Sequence, residues 1–311
     1  MEKQATREAY GKALAELGEK HENIVVLDAD LSGSTKTAVF AKKFPERFIN
    51  VGIAEQNMIG IAAGLAAAGK VCFASSFAMF AVGRAFEPIR NSIAYPKMNV
   101  KICATHAGIT VGEDGGSHQA IEDVSLMRSV PNMTVVVPAD GVSTGKALEA
   151  LYEMEGPAYC RLGRAAVPIL YPQDMEFTLG KGIVLKEGTD LAMIACGAMV
   201  APTLEAAKAL EAKGIRAAVV DMHTIKPIDR ELIGKLAKQC GKILTVEEHS
   251  VIGGLGSAVA EVCAEECPVR VKRMGLQDVF GQSGKPDDLL KEYGLTAEAI
   301  AETAEAFLRE V

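Results

Sequence analysis

The chain has 311 residues, 49% hydrophobic and 23% charged, enough apolar material for two ordinary domains with sizeable cores. A formal net charge of −7 and a pI near 5.4 weigh against a nucleic-acid or membrane-surface partner, which a basic face would serve. Charges, glycines or prolines interrupt every apolar run before it reaches membrane-spanning length.

The opening MEKQATREAYGKALAEL reads as an amphipathic helix and not as a secretory signal. IVVLDAD (24–30) reads as a strand. FINVGI (48–53) is a second strand that runs into Glu55 and then into a helix of small and aliphatic residues. Glu55 is the only charged residue between Arg47 and Lys70, so it is either a partner for the helix dipole or a buried acid with a task. VCFASS (71–76), a helix from Met79 to Ala94, VKICAT (100–105), a glycine-rich loop, a helix near 121–129, TVVVPAD (134–140), a helix from Val142 to Met154 and AYCRLG (158–163) follow. Solid apolar runs alternating with helices predict a mostly parallel sheet covered on both faces. The stretch 164–182, with Pro168 and Pro172 and no helical period, reads as a break. Beyond it LAMIAC, helix 200–213, AAVVDM, helix 229–239, KILTVEE, helix 254–265, VRVKRM and two terminal helices form a second, smaller α/β unit. The expected architecture is two three-layer α/β/α domains, 1–168 and 183–311, joined by a linker at 169–182.

The seven cysteines, an odd number without CxxC, sit mostly in apolar runs, as expected of reduced, buried thiols in a cytoplasmic protein. Cys263 and Cys267 share a helix face, but no further ligand cluster lies nearby, so a metal pair is the weaker reading.

Five stretches carry potential chemistry. DADLSGSTKT (28–37) lies at a strand's carboxyl end, where open α/β sheets bind ligands, although an Asp/Ser-rich loop also caps helices. SSFAMFAVGRAFEPIR (75–90) places Phe77 and Phe80 beside another strand end, as stacking rings or as core. THAGITVGEDGGSHQAIED (105–123) sets His106, Glu113, Asp114 and His118 among four glycines; this suits a polyhydroxylated substrate better than a metal, for which the spacing is irregular. YCRLGR (159–164) offers Arg161 and Arg164 for a phosphate or carboxylate, or for a surface salt bridge. EEHSVIGGLGSAVAE (247–261) lacks the full G-x-G-x-x-G pattern and reads as a tight strand-to-helix turn, not a nucleotide loop.

Together, ADLSGS, VGIAEQNMIGIAAGLA, SFAMF, the 105–140 stretch and EEHSVIGGLGS resemble the C-terminal half of transketolase, its pyrimidine-binding domain plus its small C-terminal domain. The resemblance covers essentially the whole chain. It implies thiamine diphosphate bound at a dimer interface, with Glu55 hydrogen-bonding N1′ of the aminopyrimidine and promoting its imino tautomer. That role needs a proton on or shared by Glu55, which burial favours. Phe80, with Phe77 beside it, would stack on the pyrimidine, and Leu31, next to Asp30, would form the apolar wedge under the cofactor. By the same resemblance His106, His118 and Asp114 would meet the sugar, and Arg7, Ser34 and Arg161 its phosphates. Gly83 stands where the family has a third aromatic, so the pocket would be looser there or filled by Arg84. The chain has no GDG motif for Mg²⁺ and the diphosphate, which implies a separate N-terminal transketolase subunit and a homodimeric or heterotetrameric assembly. The expected reaction is transfer of a two-carbon ketol unit between sugar phosphates, such as xylulose 5-phosphate and ribose 5-phosphate. A 2-oxo acid dehydrogenase β-subunit, a deoxyxylulose phosphate synthase-like enzyme and a non-catalytic scaffold are the alternatives.

Overall fold

The structure, a computed structural model, describes residues 2–310. Its strands are β1 (Lys3–Ala5), β2 (Ile24–Asp28), β3 (Phe48–Asn50), β4 (Val71–Ser75), β5 (Val100–Ala104), β6 (Thr134–Val136), β7 (Ala158–Arg161), β8 (Ala166–Pro168), β9 (Ile183–Lys186), β10 (Leu191–Ala195), β11 (Ala217–Asp221), β12 (Thr224–Lys226), β13 (Lys242–Ser250) and β14 (Arg270–Leu276). Seven form one sheet in the order β12-β6-β7-β5-β4-β2-β3, parallel except for β12. Five form a second sheet, β14-β13-β10-β11-β9, parallel except for β9.

Period-two alternation explains how the first sheet sits between helices. Val25 and Leu27 of β2 point into a core with Met58, Ile59 and Ala62 of the helix Glu55–Ala67. Ile24 and Val26 point the other way, against Tyr10 and Leu14 of the helix Thr6–Lys20. The helix Gly141–Glu153 completes that second layer, started by an Asp140 capping box. Among the described residues, no helix is long and apolar enough to cross a membrane.

One feature differs from the sequence reading, and two add to it. The run Met79–Ala94 is not one regular helix. It is two wide π turns, Met79–Arg84 and Ile89–Ala94, flanking Phe86–Pro88. Pro88 has no N–H for the carbonyl of Arg84, four residues back, and the Gln56 amide donates to that carbonyl instead, at 3.0 Å. The break region is not structureless either. β8 pairs antiparallel with β1, and Leu170 and Tyr171 donate their backbone N–H groups to Asp140 at 2.7 and 3.1 Å, while the Tyr171 hydroxyl donates to Asp221 at 2.7 Å. Finally, the two units share a sheet and a core. β12 leaves the second unit to pair antiparallel with β6 at the edge of the first sheet, and one core cluster runs from Met58 to Val259.

Candidate active site

The carboxyl ends of β2, β3, β4 and β5 open on one side of the first sheet, and the candidate residues gather there. Glu55 is the first residue of its helix, placed where the unpaired N–H groups favour negative charge. It is 2% exposed, and its Oε2 accepts a 2.7 Å hydrogen bond from Nη1 of Arg84. The Arg84 side chain is half exposed, and its guanidinium carbon lies 4.9 Å from the centre of the Phe80 ring. Arg84 thus lies against Glu55 and Phe80, while the space beside Gly83 is taken by the Met79 side chain, whose Cε lies 2.7 Å from where a Cβ on Gly83 would stand.

Phe77, Phe80, His106 and His118 form one cluster of rings. Phe77 stacks on His106 with centroids 3.8 Å apart, and Phe80 meets His118 edge-on at 5.2 Å. Phe77 and Phe80 are near-parallel, 6.1 Å apart, and Phe77 also faces His118 edge-on at 6.5 Å. His106 sits in the left-handed region at φ 57°, held by a 2.9 Å hydrogen bond between Nδ1 and the Thr105 hydroxyl. Burial pushes its pKa down to about 3, and the nearby Arg7, Arg164, His118 and Lys36 add to the effect, so the ring is neutral at physiological pH.

The loop after β2 is folded around Asp28, which accepts from the Leu31 N–H at 2.6 Å and from the hydroxyls of Thr35 and Thr37 at 2.7 and 2.8 Å. Burial pushes the Asp28 carboxyl up, and those hydrogen bonds oppose it. The result presents Leu31 half-buried and Asp30 exposed, the latter tied to Asn50 at 3.0 Å. Arg7 donates to the Ser34 carbonyl at 2.8 Å and to the Arg164 carbonyl at 3.4 Å. The charges of Arg7, Arg164 and Lys36 are near enough to His106 to help lower its pKa.

The glycine-rich loop is pinned from below by the second unit. Thr110 N–H donates to Glu248 at 2.6 Å, the Gln119 amide donates to the carbonyls of Ile109 and Gln282 at 3.1 and 3.0 Å, and the Ser283 hydroxyl donates to the Glu113 carbonyl at 2.6 Å. Gly108, at φ 80°, approaches the Glu248 carboxylate so closely that a Cβ there would collide with it. Asp114 lies on the exposed outer turn, and no hydrogen bond or ion pair engages its carboxylate among the described residues.

Arg161 is placed differently from the sequence expectation. Its side chain turns inward, 8% exposed, with Nε donating to Asp123 at 2.8 Å and Nη2 to the carbonyls of Ala120 and Glu248 at 3.1 and 2.9 Å. The Tyr159 hydroxyl donates to the same Asp123 oxygen at 2.5 Å. Nε and Nη2 of Arg161 are thus committed inside the protein, and Arg164 instead reaches the rim, donating to the Val111 carbonyl and to Glu113 at 3.3 Å. The 247–261 stretch is a strand-to-helix turn in which Glu247 itself accepts the N–H groups of Leu255 and Gly256, at 2.7 and 2.8 Å. That helix start is occupied by the chain's own carboxylate.

Sequence reasoning left Arg84 and Lys36 out of the site residues. The only signal for Arg84 was the missing aromatic at Gly83; Lys36 had none, because its position depends on the left-handed turn at φ 72° that ends the short helix Ser32–Thr35. A separate cavity of about 510 Å³ lies between the two units, lined by Leu162, Pro168, Met199, Glu248 and Leu290. None of the ring-cluster residues or Glu55 lines it. Among the described residues, no group of three or more His, Cys, Asp or Glu could hold a metal ion.

Comparison with known proteins finds relatives over nearly the whole chain. The family described as transketolase, pyrimidine binding domain, matches residues 2–169, and transketolase, C-terminal domain, matches residues 180–300. A Methanocaldococcus jannaschii protein named as a transketolase C-terminal section is 57% identical over 95% of this chain and 93% of its own length. A Clostridium 6-deoxy-6-sulfo-D-fructose transketolase subunit is 43% identical over 98% of this chain and 94% of its own length. A solved structure described as a split gene transketolase, inactive beta4 tetramer, superposes with a TM-score of 0.90 at 58% identity, covering 98% of both chains.

Proposed function

Because this chain belongs to the transketolase family and carries its pyrimidine-binding and C-terminal domains, we propose that it is the C-terminal subunit of a split, thiamine-diphosphate-dependent ketol transferase. The observation that carries the reading is the convergence of a buried carboxylate, Glu55, with a ring surface and two histidines at one end of one sheet. These residues fit the aminopyrimidine end of the cofactor. Phe80 offers a flat face, Phe77 backs it, Leu31 supplies an apolar edge, and Glu55 holds or shares a proton at the ring nitrogen. When bound, the cofactor supplies the nucleophilic carbon that takes up the two-carbon unit.

On the substrate side, neutral His106 accepts or donates one hydrogen bond to a sugar hydroxyl, His118 faces it across Phe77, and Asp114 reads a further hydroxyl from the loop's outer turn. Arg7, Ser34, Arg164 and Lys36 form the phosphate end, with Arg164 taking the place expected of Arg161. Sugar phosphates such as xylulose 5-phosphate and ribose 5-phosphate suit this layout. A relative named as a 6-deoxy-6-sulfo-D-fructose transketolase subunit extends the proposal to other anionic sugars. An N-terminal subunit would supply the diphosphate and Mg²⁺ contacts, a division supported by relatives named as a section, a subunit and a split gene product.

The test is Glu55→Gln in the complex reconstituted with the N-terminal subunit. Turnover is expected to fall by ~10²–10⁴-fold, the scale of lost acid–base assistance. A rate within twofold of the parent would reduce Glu55 to a helix-terminus residue.

A further inference from the structure

We propose that Arg84 is a built-in occupant of the pyrimidine site, holding Glu55 and covering Phe80 until the cofactor ring displaces it. The proposal rests on the functional reading above. It starts from Glu55, a carboxylate 2% exposed whose single ion-pair partner among the described residues is Arg84, at 2.7 Å. The same guanidinium lies 4.9 Å from the centre of the Phe80 ring. One side chain therefore engages both surfaces that the aminopyrimidine would use.

The chemistry of the two groups explains the substitution. A guanidinium and an aminopyrimidine are both planar and delocalised, and both can hydrogen-bond a carboxyl group edge-on, the guanidinium by donating N–H to the carboxylate and the pyrimidine through a ring nitrogen that shares the carboxyl proton. Each can do so while lying over an aromatic face. A carboxylate buried without any partner is costly, so the site without cofactor needs a donor of its own.

The local structure allows the exchange. Arg84 ends the wide turn Met79–Arg84, and its carbonyl is fixed by Gln56 at 3.0 Å, so the backbone stays put while the side chain moves. The side chain is 49% exposed, so it can swing into water without crossing packed atoms. Gly83, also exposed, places no side chain in its way. Cofactor binding is then an exchange of one planar hydrogen-bonding partner for another, and its apparent affinity is the intrinsic affinity multiplied by the fraction of molecules in which Arg84 is not seated.

The experiment is calorimetric titration of thiamine diphosphate, with Mg²⁺, into the two-subunit complex carrying either the parent chain or Arg84→Ala. If the seated form prevails by about ten to one, the variant binds about tenfold more tightly. Its cofactor-free thermal midpoint falls, and cofactor raises that midpoint by more than in the parent. Equal or weaker binding by the variant overturns the proposal. Should the variant fail to fold, ¹⁵N-arginine spectra of the parent complex decide the matter. The Arg84 guanidinium signal is hydrogen-bonded without cofactor and becomes solvent-exchanging with it, and a signal that does not move overturns the proposal. A parent complex that binds no cofactor overturns the functional reading, and the proposal with it.

Discussion

Two clusters of charged side chains flank the glycine-rich loop 105–123, and they are closed in opposite ways. On its outer side, Glu55 is buried but its partner Arg84 reaches it from water, and Arg7, Arg164 and Lys36 face a neutral histidine. On its inner side, Asp123, Arg161, Tyr159, Glu247, Glu248 and His249 are all buried and hydrogen-bonded to one another or to backbone. Burial alone would push Asp123 up, yet Arg161, His249 and Tyr159 hold it below the usual carboxylate range. The outer cluster keeps an exchangeable donor, as a binding site must. The inner one has spent its donors on the loop and the second unit, which makes it the frame that holds the outer one still.

That contrast predicts different penalties for similar mutations. The largest stability loss belongs to Asp123→Ala, which leaves the Arg161 guanidinium buried without its carboxylate. Breaking such a pair costs about 3–5 kcal/mol, measured by urea unfolding. Glu55→Gln, lethal to turnover in the account above, should change the same unfolding free energy by no more than about 1 kcal/mol, because Arg84 can turn into water. If the two variants lose equal stability, the distinction between frame and site collapses.

A smaller effect separates two histidines. His223, stacked on Phe177 with centroids 4.0 Å apart, has its pKa pushed down to about 4 by burial alone. His106 is pushed down to about 3 by burial together with the cationic rim. Both are bases protonated more readily unfolded than folded, so each withdraws stability as pH falls below the unfolded value of 6.5. Between pH 7.5 and 5, His223→Asn should remove about 1–2 kcal/mol of the acid loss seen by urea unfolding. Inorganic phosphate should raise the NMR-titrated pKa of His106 by neutralising Arg7 and Arg164, and leave His223 unmoved. A rise at both, or at neither, would remove the phosphate end from the proposed site.

Much of this was legible in the chain. The apolar runs IVVLD, VCFAS and VKICA become fully buried parallel strands, because only helices on both faces can cover such runs. The ring cluster was legible because Phe77 and His106 each stand just past a strand end, with Phe80 and His118 in the segments that follow. Arg161 was misjudged because being near a strand end does not fix which way a side chain points. Residues 159 and 161 share a face, and that face meets Asp123, 38 positions back in sequence from Arg161. Arg164, beyond the strand, is free to turn outward. β12 was illegible for another reason: three residues, Thr224–Lys226, carry too little pattern, and only the unpaired edge of β6 makes them a strand. The wide turns around Pro88 depend on Gln56, 28 positions from the carbonyl it satisfies.

The central claim is that this chain grips the pyrimidine end of a cofactor whose diphosphate end another chain must hold. The direct measurement is two-carbon transfer from xylulose 5-phosphate to ribose 5-phosphate in saturating thiamine diphosphate and Mg²⁺, with this chain alone and with the N-terminal subunit added. The account predicts no turnover from the chain alone and turnover on addition of the second subunit. Robust turnover by the isolated chain would contradict it.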